Sequence, residues 1–161
     1  VLQEGHRAYK IVYPKSEAHD AQIQNEIIMN ARILSLDPLM ERFVVPSNVY
    51  RTHLQTLKDT NRPLYESFVH NCLEDPVKVP SHVYIGSMPI LRQIHERLNP
   101  YYRNYVLESL RILHSNGIAH NDIHPGNIMF HRVGENDYPV IIDFGLVSHH
   151  SEDTNDINKF N

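Results

Sequence analysis

A single cysteine, Cys72, stands in the 161 residues. No internal disulfide can form, so nothing in the fold depends on an oxidising compartment. That count is compatible with a cytoplasmic protein, and equally with one exported into the cytosol of a host cell. Positive charge is also short. Fifteen Lys and Arg face nineteen Asp and Glu, a net charge of −4, which offers no basic excess for nucleic acid. No apolar run approaches the ~18 residues of a membrane helix, so no membrane span is expected. The start carries no signal-peptide pattern. Twelve histidines are present, but none form an HExxH frame and no CxxC exists, so a structural zinc site is not expected. What remains is a globular composition, 41% hydrophobic and 21% charged, sufficient for one domain or two small lobes.

Local patterns divide the chain. "RAYKIVYP" (7–14) alternates and reads as a strand ended by Pro14. Residues 16–36 read as a helix. Ser16 is placed to cap it, acids occupy its early turns, and Ile23, Ile27, Ala31 and Leu34 form a stripe at helical spacing. Asp37-Pro38 would end it. "RFVVPSNVYR" and "VPSHVYIGSM" look like short strands, with a partly helical stretch over 52–75 between them. "LRQIHERL" (91–98) is a short helix candidate. Asn99-Pro100 then supplies an N-cap and a proline at the first helical position. The helix that follows carries Tyr102, Val106, Leu110 and Leu113 on one face, and Gly117 ends it. Residues 127–144 read as two short strands around a turn at Gly134–Asp137. This order fits an α+β fold with two unequal lobes better than repeated βαβ units. Cys72 reads as a buried apolar residue.

Between the second long helix and that hairpin lies "AHNDIHPGNIMF" (119–130), dense in turn-forming and proton-handling residues. Asp122 and Asn127 stand five positions apart in it, and "IIDFG" places Asp143 just past a buried-looking strand. Upstream, Lys10 lies in a strand and Glu26 on the following helix. Phosphoryl transfer uses such a set. A carboxylate orients the acceptor's proton, carboxylate and amide oxygens hold Mg²⁺, and a positioned cation grips the nucleotide phosphates.

These residues resemble the protein-kinase-like fold family. "AHNDIHPGN" is similar to the catalytic loop H-R-D-x-x-x-x-N, "DFG" matches the metal-binding tripeptide, and "AYK" resembles the end of the V-A-I-K strand. "LHSNGIAHND" resembles the helix end that leads into the loop. The resemblance implies a two-lobed, minimal α+β kinase-like domain over 1–161, with an N-lobe near 1–86 and a reduced, truncated C-lobe over 87–161. It implies ATP and Mg²⁺ as cofactors and a protein substrate, a host protein among the candidates. Asp122 would be the catalytic base, and Asn127 and Asp143 the metal ligands. Lys10 would bind the α/β-phosphates, with Glu26 pairing it and Glu17 as the rival partner. His120 would brace the Asp-Phe-Gly backbone, and His124 would lie near the phosphates, the other reading being a core histidine. "HVYIGSMPIL" would hold the segment that meets adenine.

The departures from the family pattern shape the expectation. Only Gly5 precedes Lys10, so no glycine-rich loop is visible. Asn121 replaces the usual arginine, so activation by loop phosphorylation is disfavoured. No A-P-E motif follows Asp143, and that brevity resembles minimal kinases of bacterial effectors and viruses. His124 stands where protein kinases usually carry Lys, and "HPGN" resembles aminoglycoside and choline phosphotransferases. Three readings result: a minimal protein Ser/Thr kinase, a small-molecule kinase, and a pseudokinase that binds a partner.

Overall fold

The alternating segment near the start folds as β2 (Arg7–Val12), the second arm of a hairpin with β1 (Leu2–Glu4). β2 pairs antiparallel with β4 (His82–Pro89), and β4 with β3 (Ser47–His53), giving a sheet of order β1-β2-β4-β3. The computed structural model describes residues 2–149 and 155–160. The chain divides into two compact units, one of Val1–Ala31 with Pro46–Ile90, the other of Arg32–Val45 with Leu91–Asn161. The units are thus discontinuous in sequence. The fold is α+β, its helices interspersed among strands whose ladders are all antiparallel.

In the first unit, helices α2 (Leu54–Thr60) and α3 (Arg62–Asn71) lie between β3 and β4 in sequence. Their Leu54, Leu57, Leu64 and Phe68 share a buried cluster with Ile11, Val83 and Ile85 of the sheet. Each such side chain, fully buried, contributes ~1.5–3 kcal/mol. Cys72 is only half-buried at the margin of this cluster, not fully inside as expected. Gly86 of β4 sits against the side chains of Pro46 and Val49. A Cβ there would meet the Pro46 Cβ at 2.5 Å, so any larger residue would push β4 away from the start of β3.

Helix α1 (Glu17–Leu36) starts as its sequence suggests: the Ser16 hydroxyl accepts a hydrogen bond from the His19 amide at 3.1 Å. Its buried face differs from the expected stripe. Ile23, Met29, Asn30 and Ile33 are buried, whereas Ala31 is exposed and Leu34 half-buried. The helix is covered by different neighbours along its length, its residues from Arg32 onward belonging to the second unit. One straight stripe therefore does not describe it.

"RFVVPSNVYR" is not one strand. It is divided at Pro46: Phe43 makes a parallel bridge to Ile141, and only Ser47 onward joins β3. Asp37 shapes this turn, its carboxylate accepting from the amides of Glu41, Arg42 and Phe43 at 2.6–3.1 Å. "LRQIHERL" is not a helix either. Arg92 and Gln93 form β5 (Arg92–Gln93), paired with β7 (Ile128–Val133). Eight residues are too few for a self-supporting helix. Here the Arg92 guanidinium binds the Asp137 carboxylate at 2.8 Å and lies 5.7 Å over the Phe130 ring.

The long helix α4 (Pro100–Ser115) matches its signals closely. The Asn99 side chain caps it, accepting from the Tyr102 amide at 2.9 Å. Val106, Leu110 and Leu113 are wholly buried, and Tyr102 packs edge-on against Phe130. Gly117 follows at φ +70°, a left-handed turn that spares it the Cβ penalty. A short strand β6 (Ile118–Ala119) then leads into the loop. β7 and β8 (Asn136–Ile141) form the hairpin, with Asn136 and Asp137 already in the strand, so the turn is tighter than the expected Gly134–Asp137. β9 (Ser148–His149) pairs with β6, and α5 (Asn155–Phe160) closes the described chain.

Candidate active site

The loop is built around a buried histidine. His120 uses both ring nitrogens: Nδ1 accepts from the Asp122 amide at 3.1 Å, and Nε2 donates to the Ile142 carbonyl at 2.9 Å. This fixes a neutral ring with its proton on Nε2. Burial pushes its pKa below the ordinary 6.5, against smaller opposing effects of the Ile142 carbonyl and nearby carboxylates. The ring also packs edge-on against Phe144, centroids 4.9 Å apart. His120 thus joins the start of the loop to the segment carrying Asp143.

Asp122 lies two residues on, its side chain 38% exposed. The Asn127 amide group donates to both the Asp122 carbonyl, at 2.9 Å, and its carboxylate Oδ2, at 3.1 Å. The five-residue spacing is thereby closed into a ring, with a 3-10 turn at Pro125–Asn127 making the reversal. His124 Nδ1 accepts from the Gly126 amide at 3.1 Å, so in the neutral ring Nε2 carries the proton, 3.6 Å from Asp122 Oδ2. His124 is exposed, which sets aside the core-histidine alternative.

Hairpin register brings the two oxygen donors Asn127 and Asp143 to one end of β7 and β8. Ile128 pairs with Ile141, and the Ile142 amide donates to the Asn127 carbonyl at 2.9 Å, so Asp143 follows directly. Asp143 sits at φ +59° and Asn121 at φ +70°, left-handed conformations that cost a non-glycine residue energy and cluster at functional sites. Asp143 Oδ1 accepts from the Gly145 amide at 3.3 Å. Asn121, in the family's arginine position, donates from its amide to the Leu146 carbonyl and the Ser148 hydroxyl, both at 2.9 Å. It ties down the segment after Asp143 with neutral hydrogen bonds.

Asp156 of α5 was not singled out by its sequence. It is fully buried, and its carboxylate accepts from the His120 amide at 2.8 Å, the Asn121 amide at 2.9 Å and the His114 ring at 3.0 Å. Two backbone donors at the head of the loop are therefore satisfied by one side chain from 35 and 36 positions away. An aspartate in the first turn of a six-residue helix carries no local signal of this role.

In the first unit, Lys10 of β2 and Glu26 of α1 lie 3.5 Å apart, each side chain 31% exposed. Glu17 is exposed, so of the two carboxylates considered only Glu26 reaches the lysine. One turn and a half before Glu26, Asp20 holds α1 to β4. Its carboxylate accepts from the Tyr84 hydroxyl at 2.8 Å, the His82 ring at 3.3 Å and Gln24 at 3.0 Å. The Tyr84 hydrogen bond, then that of His82, holds the Asp20 pKa below its ordinary value, while burial and the carboxylate raise that of Tyr84.

For Mg²⁺ the donor chemistry is suitable. The amide oxygen of Asn127 receives no hydrogen bond from a described residue, and Asp143 is exposed at the hairpin end. Among the described residues no group of three or more His, Cys, Asp or Glu is placed to hold a metal ion. Two protein oxygens completed by water and phosphate are the usual Mg²⁺ arrangement, so the pair fits that ion better than a closed protein cage.

Residues 87–160 match the family model described as protein kinase domain, which spans α4, the loop, the hairpin and α5. No curated protein matches the chain. Over these residues the chain is protein-kinase-like, similar to a family of phosphotransferases that act on ATP and protein substrates. Lys10 and Glu26 lie outside the matched residues. No helix among the described residues is long and apolar enough to cross a membrane.

Proposed function

We propose that the protein is a Ser/Thr protein kinase that transfers the γ-phosphate of Mg-ATP to a protein hydroxyl. The observation that carries this reading is the Asp122 carboxylate, half-exposed on a loop whose backbone is held from beneath by His120 and Asp156. Asp122 accepts the hydroxyl proton as the acceptor oxygen bonds to the γ-phosphorus and the bond to the bridging oxygen of departing ADP breaks. The Asn127 amide and the His124 N–H near Oδ2 orient the carboxylate. Asn127 and Asp143 would hold Mg²⁺, which supplies charge neutralisation at the phosphates. Lys10, steadied by Glu26, would contact the α/β-phosphates. The neutral hydrogen bonds of Asn121 support an enzyme active without loop phosphorylation. A cytoplasmic site of action fits the single cysteine, and a host cell's cytosol fits it equally.

A second reading, a small-molecule kinase, is favoured by one observation: the loop reads His124-Pro125-Gly126-Asn127, with no lysine. Incubation with γ-labelled ATP and either a protein lysate or a panel of aminoglycosides and choline separates the two. Label in protein Ser and Thr, absent in the Asp122→Asn variant, supports the kinase. Label in small molecules alone overturns it. Unchanged labelling by Asp122→Asn removes Asp122 from the chemistry. Partner binding without any transfer would instead leave a pseudokinase.

A further inference from the structure

A cavity of about 210 Å³ opens in the second unit against the loop that bears Asp122. Its floor is apolar, with Ile94, Ile123 and Phe160 among the lining side chains. Its rim carries Arg97, Arg103 and Lys159 against a single carboxylate, Glu96. Arg103 is engaged with Phe160, its guanidinium 5.4 Å over the ring. Arg97 and Lys159 are exposed and form no ion pair with a described residue. A chain of net charge −4 thus presents a local excess of positive charge beside its candidate catalytic loop. Such a reversal favours acidic partners.

The wall shared with the loop is His124, whose Nε2 is 3.6 Å from Asp122 Oδ2. The cavity edge therefore lies one imidazole ring from the candidate base. An extended segment advances about 3.3–3.6 Å per residue. A side chain seated in the cavity would belong to a residue about two or three positions from a hydroxyl at Asp122.

Building on Asp122 as the acceptor base, we propose that this cavity selects the acceptor: a protein segment with an apolar side chain two or three residues from its Ser or Thr, flanked by carboxylates. The apolar side chain fills the floor, and the flanking carboxylates meet Arg97 and Lys159. Those two cations are solvent-facing, so their contribution is to selection and encounter more than to tight binding.

The test uses the full chain and two peptide pools, identical in their Ser and apolar residue but flanked by Glu in one and Lys in the other. Transfer from labelled ATP should favour the Glu pool about ten-fold in kcat/KM, through KM, the size expected of rim charges. Arg97→Glu with Lys159→Glu should erase or reverse that preference while leaving the KM for ATP unchanged. Fluorescence anisotropy of the same peptides on the Asp122→Asn variant, without ATP, reads docking apart from chemistry and should show the same preference. A wild-type preference for the Lys pool, or a Glu preference that survives the double charge reversal, overturns the proposal. Selective docking with no transfer to any peptide would retire the kinase reading and keep the docking site. Transfer without selectivity in either measurement would do the reverse.

Discussion

The two units hold their key charges in opposite ways. In the first, Lys10 and Glu26 meet at 3.5 Å with about a third of each side chain open to water. In the second, Asp156 is wholly buried and spends its two oxygens on backbone amides and a histidine ring. An ion pair in partial contact with solvent gains little net energy and is readily rearranged. A buried carboxylate that satisfies backbone donors cannot be removed without leaving those donors unpaired. The first arrangement suits a contact that can adjust, and the second suits a loop whose geometry must not.

Four measurements bear on that contrast. The largest effect belongs to the loop's exposed end. Asp122→Asn should lower turnover by ~10²–10⁴-fold, the usual contribution of a positioned base. Its affinity for Mg-ATP should stay near wild type, whereas Asp143→Ala should lose nucleotide binding and transfer together. Calorimetric titration of Mg-ATP into both variants checks this, and equal loss of binding would dissolve the distinction between the two aspartates.

Next comes the buried anchor. Asp156→Ala orphans the amides of His120 and Asn121, at about 1–3 kcal/mol for each buried unsatisfied group. Urea unfolding should show a loss of about 2–6 kcal/mol, with Asp156→Asn intermediate because one acceptor oxygen survives. A loss no greater than that of Glu26→Ala would mean the loop is held elsewhere.

The third concerns pH. His120 has a folded pKa below its ordinary 6.5, because burial penalises the charged ring. The unfolded chain therefore takes up this proton first as pH falls. Its contribution to stability is intact above the ordinary value and is lost as pH falls through the lowered one. Denaturation midpoints measured from pH 7.5 to 4.5 should decline in that window. His120→Phe should start less stable and decline less steeply, and identical slopes would exclude His120 as the source.

The smallest effect is in the first unit. Glu26→Ala and Lys10→Ala should each change stability by under ~1 kcal/mol. In activity the lysine change should cost more, and the double variant should be little worse than Lys10→Ala alone, since the two residues act as a unit. Additive losses in a double-mutant cycle would show that the pair does not function as one.

Elements with local signals were legible from residue order. Asn99-Pro100 and Gly117 bracket α4, alternation marks β2, the turn residues near Gly134 separate β7 from β8, and the spacing from Asp122 to Asn127 is the length that one 3-10 turn closes. The segments that misled were those whose partners lie far along the chain. "LRQIHERL" has helical spacing, yet β7 recruits its start as a strand, and "RFVVPSNVYR" is divided because Phe43 finds Ile141. The stripe on α1 was misplaced because burial depends on which neighbours cover each turn of the helix.

The sequence by itself determined the kinase-like loop, its hairpin and the order of its carboxylates, since capping, turn formation and alternation act over a few residues. Only tertiary structure decided that Glu26 rather than Glu17 reaches Lys10, that Arg92 joins a sheet, and that Asp156 lies beneath His120. Those outcomes are set by burial and by the need to pair every buried polar group, and neither is settled until the distant parts of the chain have met.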